Sequence, residues 1–302
     1  MKKQIIFIVG ATATGKTKFA HLLAKKINGE IISADSVSIY RGMDIISSKP
    51  SGLMRNEMLY YLVDVVSVGR EYNVAKFVKA VASQVRQILR REKVPIIVGG
   101  SGLYVDSLLY GLFKARASNL KLRKKLNYEA ERFGSEKLYR RLEVLDPEAA
   151  AKIHPNNTRR IIRALEVCIE TGDKFSKLKE KRSGLVDKYE VKIFGLNLKR
   201  DILYTRIDQR VDKMFKDDLV EEVKSLFKSK LSKTANQALG IKEIRGYLGG
   251  DYDIARAAYL LKRNTRHFAK RQITWFKRNK AIIWIDAEST ARKKINTVIS
   301  QI

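Results

Sequence analysis

Residues 4–9 (QIIFIV) form an apolar run that leads straight into Gly10-Ala11-Thr12-Ala13-Thr14-Gly15-Lys16-Thr17, and residues 18–27 carry Phe19, Leu22, Leu23 and Ile27 at helical spacing. Strand, G-x4-G-K-T loop and helix in that order constrain the chain more than any other feature, because together they specify a phosphate-binding loop. Its glycines let backbone N–H groups turn inward and cradle a phosphate chain at the amino end of a helix. Lys16 adds a positive charge to that cradle, and the Thr17 hydroxyl can ligate Mg²⁺. The loop calls for a diphosphate or triphosphate, in an ATP-binding-like manner, without fixing the reaction.

Around the loop the pattern is α/β. Residues 30–34 (EIISA) read as a second strand ending at Asp35, residues 73–91 as a helix, and residues 94–98 (VPIIV) as a third strand that runs into Gly99-Gly100-Ser101-Gly102. Continuous apolar strands alternating with helices predict a buried parallel sheet. Near Gly111 the texture changes. Residues 113–180 are charge-rich and helical, with helices expected at 119–133, 135–145 and 157–170. Residues 191–198 return to strand character, 200–228 and 253–278 predict long helices, and 281–285 (AIIWI) a last strand. The expected architecture is a P-loop NTPase-like parallel sheet flanked by helices, residues 1–111 and 191–302, interrupted by an all-helical insertion at 112–190.

The 302 residues hold 61 Lys+Arg against 32 Asp+Glu, a net charge of +29. Charge of this size bears on partners rather than on fold. A polyanion such as RNA or DNA is the first candidate, with a lysine-rich, well-solvated surface as the alternative. The distribution favours a partner. No acidic residue occurs from Ile254 to Ile285, and Arg256, Arg263, Lys270 and Lys277 repeat every seven residues along one helical stripe. Cys168 is the single cysteine, which excludes an internal disulfide and a multi-cysteine metal site. Met1-Lys2-Lys3 opens like a signal peptide, but the apolar stretch after it is too short and runs into the glycine loop. No apolar run approaches the roughly 18 residues of a membrane span. A soluble, cytoplasmic protein with no membrane association is expected.

Several residues could carry chemistry. Asp35 follows the second strand, on the sheet edge where open α/β folds bind ligands. It could cap a turn, ligate Mg²⁺ or act as a general base. The third strand ends in Gly99-Gly100 and not in the acid that a hydrolytic NTPase uses for Mg²⁺, so Asp35 is the best-placed acid, with Asp286 the other that follows a strand. Ser101 offers a hydroxyl from a second glycine loop. Arg159, Arg160 and Arg163 share an insertion helix, where Arg163 can pair with Glu166. Trp275 and Phe276 read as core, His154 beside Pro155 as a turn residue, and Cys168 as core.

These motifs, in this order, resemble those of the tRNA dimethylallyltransferases, also called tRNA isopentenyltransferases, over essentially the whole chain. The matching stretches are GATATGKT (Gly10–Thr17), ISADSVSIYRGMDI from Ile32 with Lys49-Pro50 beyond it, VGGSGLY from Val98 and HPNNTRRIIRALEV from His154. RIDQRVDKM from Arg206, Glu221-Glu222-Val223, ALGIKE from Ala238 and KRNTRHFAKRQITWF from Lys262 complete the set. The resemblance implies transfer of a dimethylallyl group from dimethylallyl diphosphate to N6 of adenosine 37, beside the anticodon, in tRNAs that read U-starting codons. It implies that the loop Gly10–Thr17 grips the donor's diphosphate, with Mg²⁺ at Thr17, and that Asp35, Ser101 and Arg210 serve catalysis. It further implies tRNA contact by Asp35, Ser36, Val37, Ser38, Ser101, Arg123, Arg159, Arg160, Ile161, Ile162, Arg163, Lys270, Arg271 and Gln272. The insertion would grip the anticodon stem, with the protein acting as a monomer.

The chain departs from the family pattern in places. Tyr60-Tyr61 stands where His-His is common, Ile46-Ser47-Ser48 where Gly-Thr-Ala is usual, Ser101 where threonine is common, Asn157 where Asp is frequent and Ile241 where an aromatic is frequent. The rival expectations are an adenylate isopentenyltransferase acting on free nucleotide, a P-loop kinase of a small metabolite, and an RNA-binding protein whose P-loop core does no chemistry. Intact Lys16, Thr17 and Asp35 argue against the last.

Overall fold

Ile5, Ile6, Phe7, Ile8 and Val9 have no exposed surface at all, a condition that only a strand covered on both faces meets. In the computed structural model, which describes residues 2–113 and 119–302, this strand is β1 (Gln4–Gly10). Residues 114–118, within the expected insertion, lie outside the described residues. The other strands are β2 (Gly29–Ser33), β3 (Tyr60–Tyr61), β4 (Val94–Gly99), β5 (Glu190–Asn197) and β6 (Ile282–Asp286). All pair in parallel, in the order β3-β2-β4-β1-β5-β6. From β1 the chain moves to β2 on one side, and from β4 it crosses to β5 on the other. The crevice at the carboxyl end of β1 is therefore the point of reversal, where such sheets bind ligands. The register places Val9 beside Gly99 and Gly10 beside Leu196 at that edge.

The helix Lys16–Lys26 buries Phe19, Ala20, Leu23 and Ala24 against Ile6, Ile8, Phe194 and Leu196. The segment 200–228, expected as one helix, is two: Arg200–Lys216 and Leu219–Leu226. Asp218 adopts a left-handed backbone (φ 64°) between them, a conformation that a side chain short enough to bond its own backbone tolerates. The basic helix spans Ile254–Phe276, with Asp253 capping its first turn through Arg256 N.

The chain forms two compact units, one of Met1–Leu109 with Lys188–Ile302 and one of Tyr110–Asp187. The expected boundaries lie two and three residues further along the sequence. The second unit is helical. Leu120–Leu145 is interrupted at Gly134 (φ 79°), where nothing crowds a Cβ and the backbone angle alone calls for glycine. Leu126, Leu138, Leu142, Ile161 and Leu165 form its core. Asp146, wholly buried, ties three segments by accepting from Ala149 N (3.0 Å), Ser176 N (2.8 Å) and Ser176 Oγ (2.8 Å). No helix among the described residues is long and apolar enough to cross a membrane.

Candidate active site

Three loops meet at the carboxyl edge of the sheet. The first, Gly10–Thr17, needs its glycines: Gly10 has φ 142° and a Cβ there would lie 2.6 Å from Leu196 O, and Gly15 has φ 83°. Thr14 Oγ1 donates to Ala11 O (2.8 Å), closing the turn. Lys16 folds its ammonium back onto Ala11 O. Burial, with help from the neighbouring Arg210, lowers the Lys16 pKa to about 7, while Asp35 pulls it upward. Burial also lowers the Arg210 pKa, again opposed by Asp35. Arg210 Nη1 donates to Thr12 Oγ1 (3.0 Å). Two cations and one carboxylate thus share the mouth of the loop, an arrangement that favours an incoming anion.

The second loop follows β2. Asp35 Oδ1 accepts from Val37 N (2.8 Å) and Ser38 N (3.2 Å), so the carboxylate is fixed by its own turn. Among the described residues its Oδ2 accepts no hydrogen bond. Ser38 is buried and its hydroxyl meets Ser33 Oγ (2.9 Å). The third loop, 99–102, is glycine-rich because it is wedged on every side. A Cβ on Gly99 would lie 2.2 Å from Ala34 O, one on Gly100 2.2 Å from Gln272 Nε2, and one on Gly102 2.5 Å from the Trp275 ring. Ser101 Oγ accepts from Ser36 N (3.3 Å) and lies 3.4 Å from Ser36 Oγ, which links the third loop to the Asp35 turn.

Among the described residues no three His, Cys, Asp or Glu side chains gather as a metal cage. The oxygen donors at hand are the Thr17 hydroxyl and the Asp35 carboxylate. That set fits Mg²⁺ that arrives on a diphosphate and keeps water for its other ligands.

A family model described as IPP transferase matches residues 38–279. The chain belongs to the IPP transferase family. It is 44% identical over 301 residues to a tRNA dimethylallyltransferase of Halothermothrix orenii, covering 99% of this chain and 92% of that one. It is 47% identical over 290 residues to one from a Thermoanaerobacter species, covering 94% and 92%. Among solved structures it superimposes on the full-length tRNA isopentenylpyrophosphate transferase of Bacillus halodurans with a TM-score of 0.73 at 36% identity, covering 100% of this chain and 95% of that one. A eukaryotic dimethylallyltransferase described as acting on tRNA gives 0.83 at 29% identity, covering 99% and 80%.

Membership of the IPP transferase family makes this chain a transferase. The sequence expectations for individual residues divide on the structure. Asp35, Ser101, Lys16, Thr17 and Arg210 gather at one edge of the sheet. Arg159 and Arg160 are exposed on the helix Thr158–Thr171, and Lys270 and Arg271 on Ile254–Phe276. Other residues expected to contact RNA have partners or packing within the protein. Ile161 and Ile162 are core residues of the helical unit, 0% and 4% exposed, because the helix turns that face inward. Arg123 donates through Nε and Nη2 to buried Glu166 (2.5 and 2.6 Å), and Arg163 reaches the same carboxylate (3.4 Å). Ser38 faces Ser33. Gln272, 6% exposed, accepts from Thr12 N (2.8 Å) and donates to Gly100 O (2.9 Å), so both ends of its amide are used inside the protein.

Sequence reasoning found no task for several family motifs, and the structure supplies one. The Lys49 side chain, 3% exposed, bonds Tyr40 O (2.7 Å), Asp44 (2.6 Å) and Asp64. Glu222 accepts from the amides of Asp44, Ile45 and Ile46 (2.8, 2.7 and 2.9 Å), completing the amino end of a four-residue helix, Asp44–Ser47. Both fasten the stretch that follows the Asp35 turn. The one available signal for Gln272 is its position on the buried stripe Ala257, Leu261, Thr265, Ala269, Gln272, Phe276. An amide left unbonded there costs roughly 1–3 kcal/mol, so a glutamine in that register implies partners.

Proposed function

We propose that this protein transfers the dimethylallyl group of dimethylallyl diphosphate to N6 of adenosine 37 in tRNAs reading U-starting codons. One observation carries the reading within the family. Lys16 and Arg210 share a single acid, Asp35, so the loop mouth keeps a positive excess for a diphosphate, with one carboxylate in place for a proton.

The chemistry follows from these groups. The adenine N6 lone pair forms a bond to C1 of the dimethylallyl group while the C1–O bond to diphosphate breaks. The leaving diphosphate takes that electron pair, and Lys16, Arg210 and the loop amides stabilise the charge. Asp35 Oδ2 accepts the proton that N6 loses. Mg²⁺ at Thr17, when bound with the donor, supplies further neutralisation of the diphosphate. Ser101 holds the Asp35 turn in place through Ser36. Adenosine 37 must leave the anticodon stack to reach this edge, as bases acted upon by enzymes generally do.

The same reading assigns tRNA contact to Ser36, Val37, Arg159, Arg160, Lys270 and Arg271. It takes the protein to be a cytoplasmic monomer. The outer face of the basic helix supports it. Lys262 and Arg266 turn to Asp212 and Asp208 on the helix Arg200–Lys216 (Lys262–Asp212 2.6 Å), whereas Arg256, Arg263, Lys270 and Lys277 are exposed. A stripe of one sign repels itself and is relieved by phosphates.

The test is mass spectrometry of a tRNA for U-starting codons, incubated with the protein, Mg²⁺ and dimethylallyl diphosphate. One dimethylallyl group gained at adenosine 37 is the expected result. Gain on free AMP or ADP instead would replace tRNA by a nucleotide acceptor, and gain on neither would return the loop to a kinase role.

A further inference from the structure

Gln272 joins two parts of the molecule that the reaction must bring into step. Its helix carries the exposed cations Lys270 and Arg271 in the two positions before it, while its own side chain points inward. There its Oε1 accepts from Thr12 N of the phosphate loop (2.8 Å) and its Nε2 donates to Gly100 O of the second glycine loop (2.9 Å). A primary amide supplies a fixed donor and a fixed acceptor side by side in this way at any pH near neutrality, which an ionised carboxylate cannot. The fit is tight, since a Cβ on Gly100 would lie 2.2 Å from Gln272 Nε2. Thr12 is held from its other end by Arg210, a group of the donor pocket. The second loop in turn holds the Asp35 turn through Ser101 and Ser36 (3.3 Å). One side chain on the basic helix thus fixes the distance between the loop that takes the diphosphate and the loop that sets the base.

We propose that Gln272 is a positioning residue that couples RNA binding on the outer face of the basic helix to the shape of the diphosphate pocket. The proposal rests on the reading of that outer face as a tRNA surface. A helix is stiff over a single turn, so an RNA that draws on Lys270 and Arg271 carries Gln272 with it. Gln272 passes the displacement to the Thr12 amide and the Gly100 carbonyl. Bound tRNA then tightens the diphosphate site, and by linkage bound diphosphate tightens the tRNA site by the same factor.

The experiment titrates inorganic pyrophosphate with Mg²⁺ into the full-length protein, with and without saturating tRNA. It compares wild type, Gln272→Met and Gln272→Glu, each checked for folding by thermal melting. The wild type should bind pyrophosphate about 5- to 150-fold more tightly when tRNA is present, the usual range for coupled sites. Gln272→Met should keep the wild-type affinity for tRNA alone and lose that ratio, which falls to near one. Gln272→Glu keeps an acceptor for Thr12 N but sets a carboxylate oxygen against Gly100 O. Its coupling should be absent at pH 8 and return as the pH falls and the carboxyl regains a proton to donate. A merely structural side chain would not give that pH dependence. The Gln272→Glu series also decides the matter if Gln272→Met does not fold.

Coupling that persists in both variants overturns the proposal. So does a Gln272→Met protein that loses tRNA affinity and keeps the ratio, which would make Gln272 a direct RNA contact. A wild type that binds both ligands without coupling overturns the inference and leaves the proposed function standing. A wild type that binds neither removes the reading beneath it.

Discussion

Two pairs of cations in this molecule each share one carboxylate, and their fates are opposite. In the α/β unit Lys16 and Arg210 share Asp35, whose Oδ1 is already committed to Val37 N and Ser38 N, and burial drives both cations below their usual pKa values. In the helical unit Arg123 and Arg163 share Glu166, a buried acid with both oxygens turned to them, and the hydrogen bonds that Arg123 donates to Glu166 raise the Arg123 pKa. The second pair is satisfied by the protein itself. The first is not, since burial outweighs Asp35 at both cations. Arginine in a family motif is therefore not evidence of RNA contact until the local balance of acids is known.

Substituting the shared acids separates the two pairs most sharply. Asp35→Asn should keep tRNA binding while lowering single-turnover transfer by roughly 10²–10⁴-fold, the usual value of a general base. A rate near that of wild type would take the base role from Asp35. Breaking the other pair acts on stability instead. Arg123→Ala leaves Glu166 buried with only Arg163 at 3.4 Å, and should destabilise the helical unit by about 2 kcal/mol, less than a fully buried pair because Arg123 is partly exposed. Chemical denaturation reads the loss, and pyrophosphate affinity should not move. If Arg123→Ala instead keeps wild-type stability and loses tRNA affinity, the contrast collapses.

The pH dependence sharpens the comparison further. Lys16, with a pKa lowered to about 7, is charged below that value and increasingly neutral above it. A bound diphosphate favours the charged form and raises the pKa again. Diphosphate affinity should therefore fall as pH rises above about 7, by up to tenfold per unit. Binding at pH 8 should take up a proton, which calorimetry in buffers of different ionisation heat detects. Binding that is flat with pH would mean that Lys16 is fully charged before the ligand arrives. The smallest expected effect belongs to the outer stripe. Removing Arg263 or Lys270 should reduce the log–log salt slope of tRNA binding by about 0.7–0.9 for each phosphate that is no longer neutralised.

Much of this was legible in the sequence where neighbouring residues carry the information. The strand, glycine loop and helix at 4–27 announce themselves within one window, and β1, β2, β4, β5 and β6 each end within a residue of the expected position. The pairing of Arg163 with Glu166 was visible because the two are a helical turn apart. Strand β3 escaped notice because two residues show no alternation. The break at Asp218 escaped because the pattern of apolar positions continues across it. Asp35 and the loop were clear from their place after strands. Arg123 with Glu166 and Gln272 with Thr12 were not, since their partners stand 43 and 260 positions away and only the fold brings them together.

The Thr12 anchorage also has a consequence for how the chain matures. Thr12 emerges from a ribosome well before Arg210 and Gln272, which hold it and follow 198 and 260 positions later. β1 likewise waits for β5 before its second edge is paired. A nascent polypeptide halted between Thr17 and Gln272 carries the complete phosphate-loop sequence without the Gln272 brace. Such long separations slow folding and leave partly formed sheets exposed meanwhile. A product terminated before Gln272 therefore has the phosphate-loop signature without the side chain that bonds the Thr12 amide.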